Sequence, residues 1–313
     1  MVSVAKRQSA LRGFWGAART GQFGAKIALR TAVIILVFIM MFPFYWMIRT
    51  ALTSPQVIFE DPASLLPAQP TMLNLERVLN LIDPKTLAGQ TNLGVAVATL
   101  NFWLYLRNSL IVSLAITLGQ TFFCSMSAYA FARLRFPFRN QIFSLYLSGL
   151  MVPSIVLFLP NFVLMHQLGW VNTFQGLIAP TFLMTPFAVF FMRQFFLSLN
   201  KELEEAAHLD GCTRFGVFWR VALPLVSSPM LTLGILTFIG SWNEYLWPLV
   251  VGHAESVRML TVALGIFQSQ TPQGSPDWTG LMAGTLVSIV PTLLLFFVFG
   301  RKVVDSVQFS GFK

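Results

Sequence analysis

Only two short stretches of this chain combine residue types and spacings that could do chemistry. The first runs from Ser198 to Pro224. It sets Glu202, Glu204, Glu205 and Asp210 around Ala206 and Ala207, closes on Gly211, and resumes as far as Leu223 and Pro224. The second is Trp242-Asn-Glu-Tyr-Leu-Trp-Pro248, where Glu244 is the one acid inside a long apolar run, beside Trp242, Asn243 and Tyr245. Neither is a catalytic constellation. Cys124 and Cys212 stand apart, and His166, His208 and His253 are scattered, so neither a disulfide framework nor metal-ligand spacing exists. No G-x-x-x-x-G-K-[ST] loop occurs to cradle a nucleotide. The chemistry left open is recognition. An acidic helix with small residues can enter a groove on a protein, and amide, carboxylate and aromatic groups can hold a polar solute.

The elements that position these stretches follow from composition. Of the 313 residues, 55% are hydrophobic and 11% charged, against about 25% charged in a soluble chain. A membrane helix needs roughly 20 mostly apolar residues. Six segments qualify, at 31–48, 109–132, 141–165, 176–197, 225–250 and 281–300. The expected fold is therefore an all-α membrane protein with six transmembrane helices. Its parts are a basic N-terminal segment (1–30), a membrane domain (31–300) and a tail (301–313). External loops lie at 49–107 and 252–277. The run after the basic segment is too long for a signal peptide and lacks a small-x-small cleavage site, so it reads as a retained span.

Charge sets the orientation. With both termini inside, 16 of the 21 Lys and Arg fall on the cytoplasmic side, as the positive-inside rule requires. The net charge of +9 is then a topogenic signal and needs no nucleic-acid partner. The long external segment is broken by Pro55, Pro62, Pro67, Pro70 and Pro84, with short helices expected near 74–81 and 93–105. Pro153 and Pro160, Pro180 and Pro186, Pro229 and Pro291 each interrupt a span. A proline there frees a backbone carbonyl that a neighbour must satisfy, by ordinary packing or as part of a flexing transport path.

The connection 198–224 between the fourth and fifth spans is the most informative. Asn200 can cap a helix whose first turn holds Glu202 and Glu204. Gly211 can end it, and Thr213 can cap a second short helix. Leu199, Leu203 and Ala206–Ala207 form a narrow apolar stripe, with Glu204, Glu205 and His208 pointing elsewhere. Four of the five cytoplasmic acids lie in this one helix. A helix lying on an anionic leaflet would be basic, so a protein groove suits this one better; the alternative is a solvated loop helix. Glu244 likewise has two readings, as a path residue or as a member of an interfacial aromatic belt.

The string Glu205-Ala-Ala207, then Gly211, then Val221, Leu223 and Pro224 resembles the EAA motif of permease subunits of binding-protein-dependent ABC importers. With Trp242–Pro248 and Asn108-Ser109 through Arg133, it is similar to the carbohydrate-uptake type. Asn200 stands where that family often has proline, the first external loop is long, and the tail Phe309–Lys313 is a poor match.

The resemblance implies a coupling element at 198–224 whose Glu204, Glu205, Ala206, Ala207, Asp210, Gly211, Leu223 and Pro224 meet a cytoplasmic ATPase. It places Trp242, Asn243, Glu244 and Tyr245 on the substrate path or against the binding protein. It implies two ATPase subunits carrying ATP and Mg, a second, similar permease subunit, an external solute-binding protein and a prokaryotic inner membrane. This chain would bind no cofactor and would not be an enzyme. A di- or oligosaccharide is the expected solute, with glycerol phosphate or another polyol as the rival. A secondary transporter would need intramembrane ion-coupling residues, usually with repeat halves, and a single carboxylate without a repeat argues against it. A plain anchoring adaptor would not need proline-broken spans.

Overall fold

The computed structural model describes residues 2–60, 63–82, 100–269 and 276–308, and among these the chain is all helical. α1 (Val2–Ala51) is one continuous helix that includes the basic segment. α2 (Leu73–Val78) is the short helix expected at 74–81. For the second expected short helix, 93–99 lie outside the described residues, and 102–105 belong to a longer element. That element is α3 (Phe102–Arg133), which starts before the expected second span. It ends where Pro137 lacks the N–H that would reach the Arg133 carbonyl. The tail motif 309–313 also lies outside the described residues.

The next three expected spans are not single rods. α4 (Arg139–Ser148) and a 3₁₀ turn (Gly149–Met151) meet α5 (Ser154–Gln167) at 99°. The cause is local. Pro153 cannot donate, and it holds Val152 extended at ψ 117°. α6 (Phe174–Phe182) and α7 (Pro186–Ser198) meet at 44°, where Thr185 before Pro186 is likewise extended. The chain then forms α8 (Lys201–Leu209) and α9 (Arg214–Val217), and runs on through a π-helical stretch (Phe218–Ala222) to Leu225. It turns 79° into α10 (Ser227–Trp242). The break stands where Pro229, in the first turn of α10, lacks the N–H that would reach the Leu225 carbonyl.

α11 (Leu246–Val251), α12 (Leu260–Leu264) and α13 (Ile266–Ser269) lead to α14 (Trp278–Ser288) and α15 (Val290–Gln308). Three segments, at 26–51, 102–133 and 278–300, are each long and apolar enough to cross a membrane. Counting each bent pair as one span raises the number to six.

α3 is the hub, packed by α6, α7, α10 and α12. Of its membrane-competent window 44% is buried, whereas none of the corresponding window of α1 is. Among the described side chains of α1, those near its end are the buried ones, and there it packs on α14. There Asn74 donates to the carbonyl of Ala51 (2.8 Å), an orphan acceptor at the end of α1, and to that of Thr53 just beyond it (2.7 Å). Arg77 pairs with Asp277 at 2.7 Å.

Two proline-freed carbonyls find partners across the fold. Pro180 cannot donate to Gly176, and the indole Nε1 of Trp247 donates to that carbonyl at 3.1 Å instead. Pro248 cannot donate to Glu244, and the Thr261 hydroxyl fills that carbonyl at 2.8 Å. Prolines in α6 and α11 are thus locked to neighbouring elements.

Candidate functional site

The connection between α7 and α10 is built from local signals that the structure realises one by one. The Asn200 side chain accepts from Glu202 N at 3.1 Å and starts α8. Gly211, at φ +83°, ends it. Cys212 N–H donates to the Ala207 carbonyl and Gly211 N–H to the His208 carbonyl, both at 3.0 Å. This pair of bonds is the Schellman arrangement, which needs a left-handed residue that glycine supplies without a Cβ penalty. Thr213 then caps α9 by accepting from Gly216 N at 3.1 Å.

The body grips one face of this element and leaves the other free. Arg133, the last residue of α3, pairs through Nε with Glu204 Oε1 at 3.0 Å, the two side chains 4% and 14% exposed. The same guanidinium donates through Nη2 to the Leu199 carbonyl just before α8. Ala207, one turn beyond Glu204, is buried. Behind them Phe218 is buried against Tyr129 of α3 (5.2 Å between ring centroids) and Phe196 of α7 (6.4 Å). The element and the two helices therefore share one packed cluster, to which Leu223 adds from its partly buried position.

On the opposite face Glu205, Ala206, Asp210 and Gly211 are exposed, with Leu209 at 90%. This corrects two expectations. Glu204 does not point away with Glu205; it is turned inward to Arg133. The stripe Leu199–Leu203–Ala206–Ala207 does not share one face either, since Leu203 and Ala206 are exposed while Ala207 is turned into the body. Pro224 is exposed next to the π-helical stretch, a helix irregularity that often marks functional positions.

A cleft of about 540 Å³ opens among α3, α5, α6, α10 and α11. Of the four residues expected on a path, only Glu244 lines it. Its carboxylate accepts from Leu246 N (3.1 Å) and Trp247 N (3.3 Å), capping α11 at the break after α10. Trp242 is 3% exposed, stacked on Phe238, and donates to the Ser288 carbonyl. It is a core residue and does not reach the cleft. Asn243 bonds back to its own helix at the Ile239 carbonyl, and Tyr245 is exposed outside the cleft lining.

The structure adds residues that the sequence reading passed over. Gln120, at mid-length in α3, donates to the Thr181 carbonyl at 3.1 Å and accepts from Thr237 at 2.8 Å, joining three elements. Asn161, Thr181, Ser241 and Thr237 also line the cleft. A signal was available for part of this set: Thr237, Ser241 and Glu244 recur at i, i+4 and i+7, one polar stripe on an apolar helix.

The arrangement is that of a chain of membrane-competent helices with a short acidic helix clamped to its body and a cleft between its helices. Comparison with known proteins agrees. Residues 120–306 match the family described as binding-protein-dependent transport system inner membrane component. The chain belongs to this family. It is 38% identical over 251 residues to the arabinooligosaccharides transport system permease protein AraQ of Halalkalibacterium halodurans, covering 80% of this chain and 88% of that one. It is 32% identical over 289 residues to the sn-glycerol-3-phosphate transport system permease protein UgpE of Salmonella typhi, covering 90% and 97%. Its fold also matches a chain in the crystal structure of a bacterial ABC transporter involved in the import of the acidic polysaccharide alginate. The TM-score is 0.71, at 22% identity over 88% of this chain and 95% of that one.

Proposed function

We propose that this chain is one of two similar permease subunits of an ATP-driven importer that brings an oligosaccharide into a prokaryotic cell across the inner membrane. A solute-binding protein delivers the sugar from outside, and two cytoplasmic ATPase subunits bind ATP and Mg. This chain binds no cofactor and is not an enzyme. It crosses the membrane six times with both termini in the cytoplasm, and the segment 198–224 is its coupling element.

The observation that carries this reading is the division of α8 into two faces. Glu204 and Ala207 are held by the body, and Glu205, Ala206, Leu209 and Asp210 are presented beside a glycine turn. An exposed acidic helix with a small residue at its centre suits a basic-rimmed cleft on an ATPase. Its anchoring to α3 and α7 would carry movement of the ATPases into the spans as alternating access, a shift between states that bind the partners differently. The sugar assignment follows the arabinooligosaccharide relatives and the hydrogen-bonding lining of the cleft. The relatives named for glycerol 3-phosphate give a second reading of the solute.

The test is uptake into proteoliposomes carrying this chain with its partner subunits and binding protein, wild type against Glu205→Lys. ATP-dependent sugar uptake in the wild type, with loss of the ATPase subunits from the variant, is the expected result. Uptake without ATP, or a variant that behaves normally, would overturn the reading.

A further inference from the structure

The walls of the cleft carry a charge balance that selects among solutes. Among the described residues lining it, Glu244 is the one ionisable group, and no Lys, Arg or His is present. The remaining polar groups are neutral amides and hydroxyls. Gln120, 7% exposed, has both ends of its amide engaged by Thr181 and Thr237 and acts as a fixed strut. The side chains of Asn161 and Ser241 make no hydrogen bond among the described residues, which leaves donors and acceptors for a ligand.

Two helix N-termini also open on the cleft, at Ser154 of α5 and at Thr185, which precedes Pro186 of α7. Each is equivalent to about half a positive charge, and the Glu244 carboxylate, bonded to the first N–H groups of α11, places a full negative charge on the same wall. An anion entering this space would leave water without gaining a cationic partner, which is costly. A neutral polyol needs only hydrogen bonds and apolar surface for its C–H faces. That surface is present: Trp247 stands edge-on to Phe158 at 5.6 Å, its ring fixed by the bond to the Gly176 carbonyl.

We infer that this cleft takes an uncharged, hydroxyl-rich solute, a neutral oligosaccharide, and disfavours phosphate esters and uronates. The inference rests on the importer reading above and narrows it. The likeness to permeases named for glycerol 3-phosphate would then lie in the scaffold, with the solute different.

The test removes the binding protein, whose own selectivity would mask that of the cleft. The complex of this chain with its second permease and ATPase subunits is held in lipid nanodiscs with ATP and vanadate. Binding is read by equilibrium dialysis of radiolabelled trisaccharides from arabinan, maltodextrin and xylan, of trigalacturonate, and of sn-glycerol 3-phosphate. At least one neutral trisaccharide is expected to bind about tenfold more tightly than either anion. Ser241→Lys places an ammonium on the cleft wall that Glu244 also lines and is expected to raise the affinity for the anions by about tenfold. Because this is a gain in anion binding, misfolding cannot mimic it. An anion that binds the wild type as tightly as the best neutral sugar overturns the inference, as does a complex that retains no neutral trisaccharide. ATP-driven uptake combined with anion preference sinks this inference alone; absence of ATP-driven uptake of any solute sinks the importer reading with it.

Discussion

Arg133 closes α3 and holds Glu204 of α8 in an ion pair of 3.0 Å between side chains that are almost entirely buried. The same guanidinium reaches the Leu199 carbonyl, so a single side chain fixes both the approach to α8 and its inward face. In the coupling role proposed for α8, force would pass through this attachment, which is made by the last residue of the helix at the centre of the fold. Breaking a buried pair strands the remaining charge. Glu204→Gln keeps the shape and removes the charge, and should destabilise by about 1–3 kcal/mol. The unfolding midpoint of the purified complex would fall, and uptake per ATP hydrolysed would fall with it. An unchanged midpoint would show that the pair does not anchor the element.

Glu205 should behave in the opposite way although it is the next residue. It is exposed and none of its contacts holds the fold, so Glu205→Lys should change stability by no more than about 0.5 kcal/mol. Its effect should appear in co-purification of the ATPase subunits, which the variant should lose. Equal destabilisation by the two substitutions would refute the assignment of faces on α8.

Gly211 occupies φ +83° with open space where a Cβ would stand. Steric crowding is therefore not the constraint there; backbone conformation is. Gly211→Ala should cost about 1 kcal/mol, with reduced uptake. Gly211→Pro, which cannot take a positive φ and removes the N–H bonded to His208, should abolish both ATPase assembly and uptake. Retained assembly in the proline variant would mean that the turn is not used for coupling.

Arg77 of α2 and Asp277 pair at 2.7 Å, and Asp277 also caps α14 by accepting from Gly280 N at 2.8 Å. Asp277→Ala removes the cap and leaves Arg77 buried without its anion, so it should cost about 3–5 kcal/mol. Asp277→Asn retains an acceptor for the cap and should cost less. Thermal unfolding of the two variants checks the order.

Trp247 supplies the donor that Pro180 cannot, to the Gly176 carbonyl. Trp247→Phe leaves that buried acceptor unmet, a cost of about 1–3 kcal/mol. Since this ring also borders the cleft, the affinity for a neutral trisaccharide should fall as well. A variant with full stability and full binding would remove both roles.

Much of this was legible in the sequence, and the reason differs by feature. The all-helical fold follows from apolar runs too long for anything but membrane helices, which must satisfy their own backbone. The caps at Asn200 and Thr213 and the stop at Gly211 were readable because a cap is decided within four residues. The bends at Pro153 and just before Pro229 were readable as interruptions, since proline lacks its N–H wherever it stands.

Some features the tertiary structure alone decided. Glu204 and Glu205 are chemically identical neighbours, and the rotation of α8 against Arg133, 71 positions earlier, makes one an anchor and leaves the other exposed. Trp242 and Glu244 stand two residues apart in what reads as one aromatic cluster. The helix break between them sends the first into the core and the second to the cleft. Gln120 looks like a stray polar residue in an apolar helix until α6 and α10 bring Thr181 and Thr237 to it. Local chemistry set where helices start and stop; which face of each meets a partner depends on contacts between residues far apart in the chain, and no window of the sequence contains both sides of such a contact.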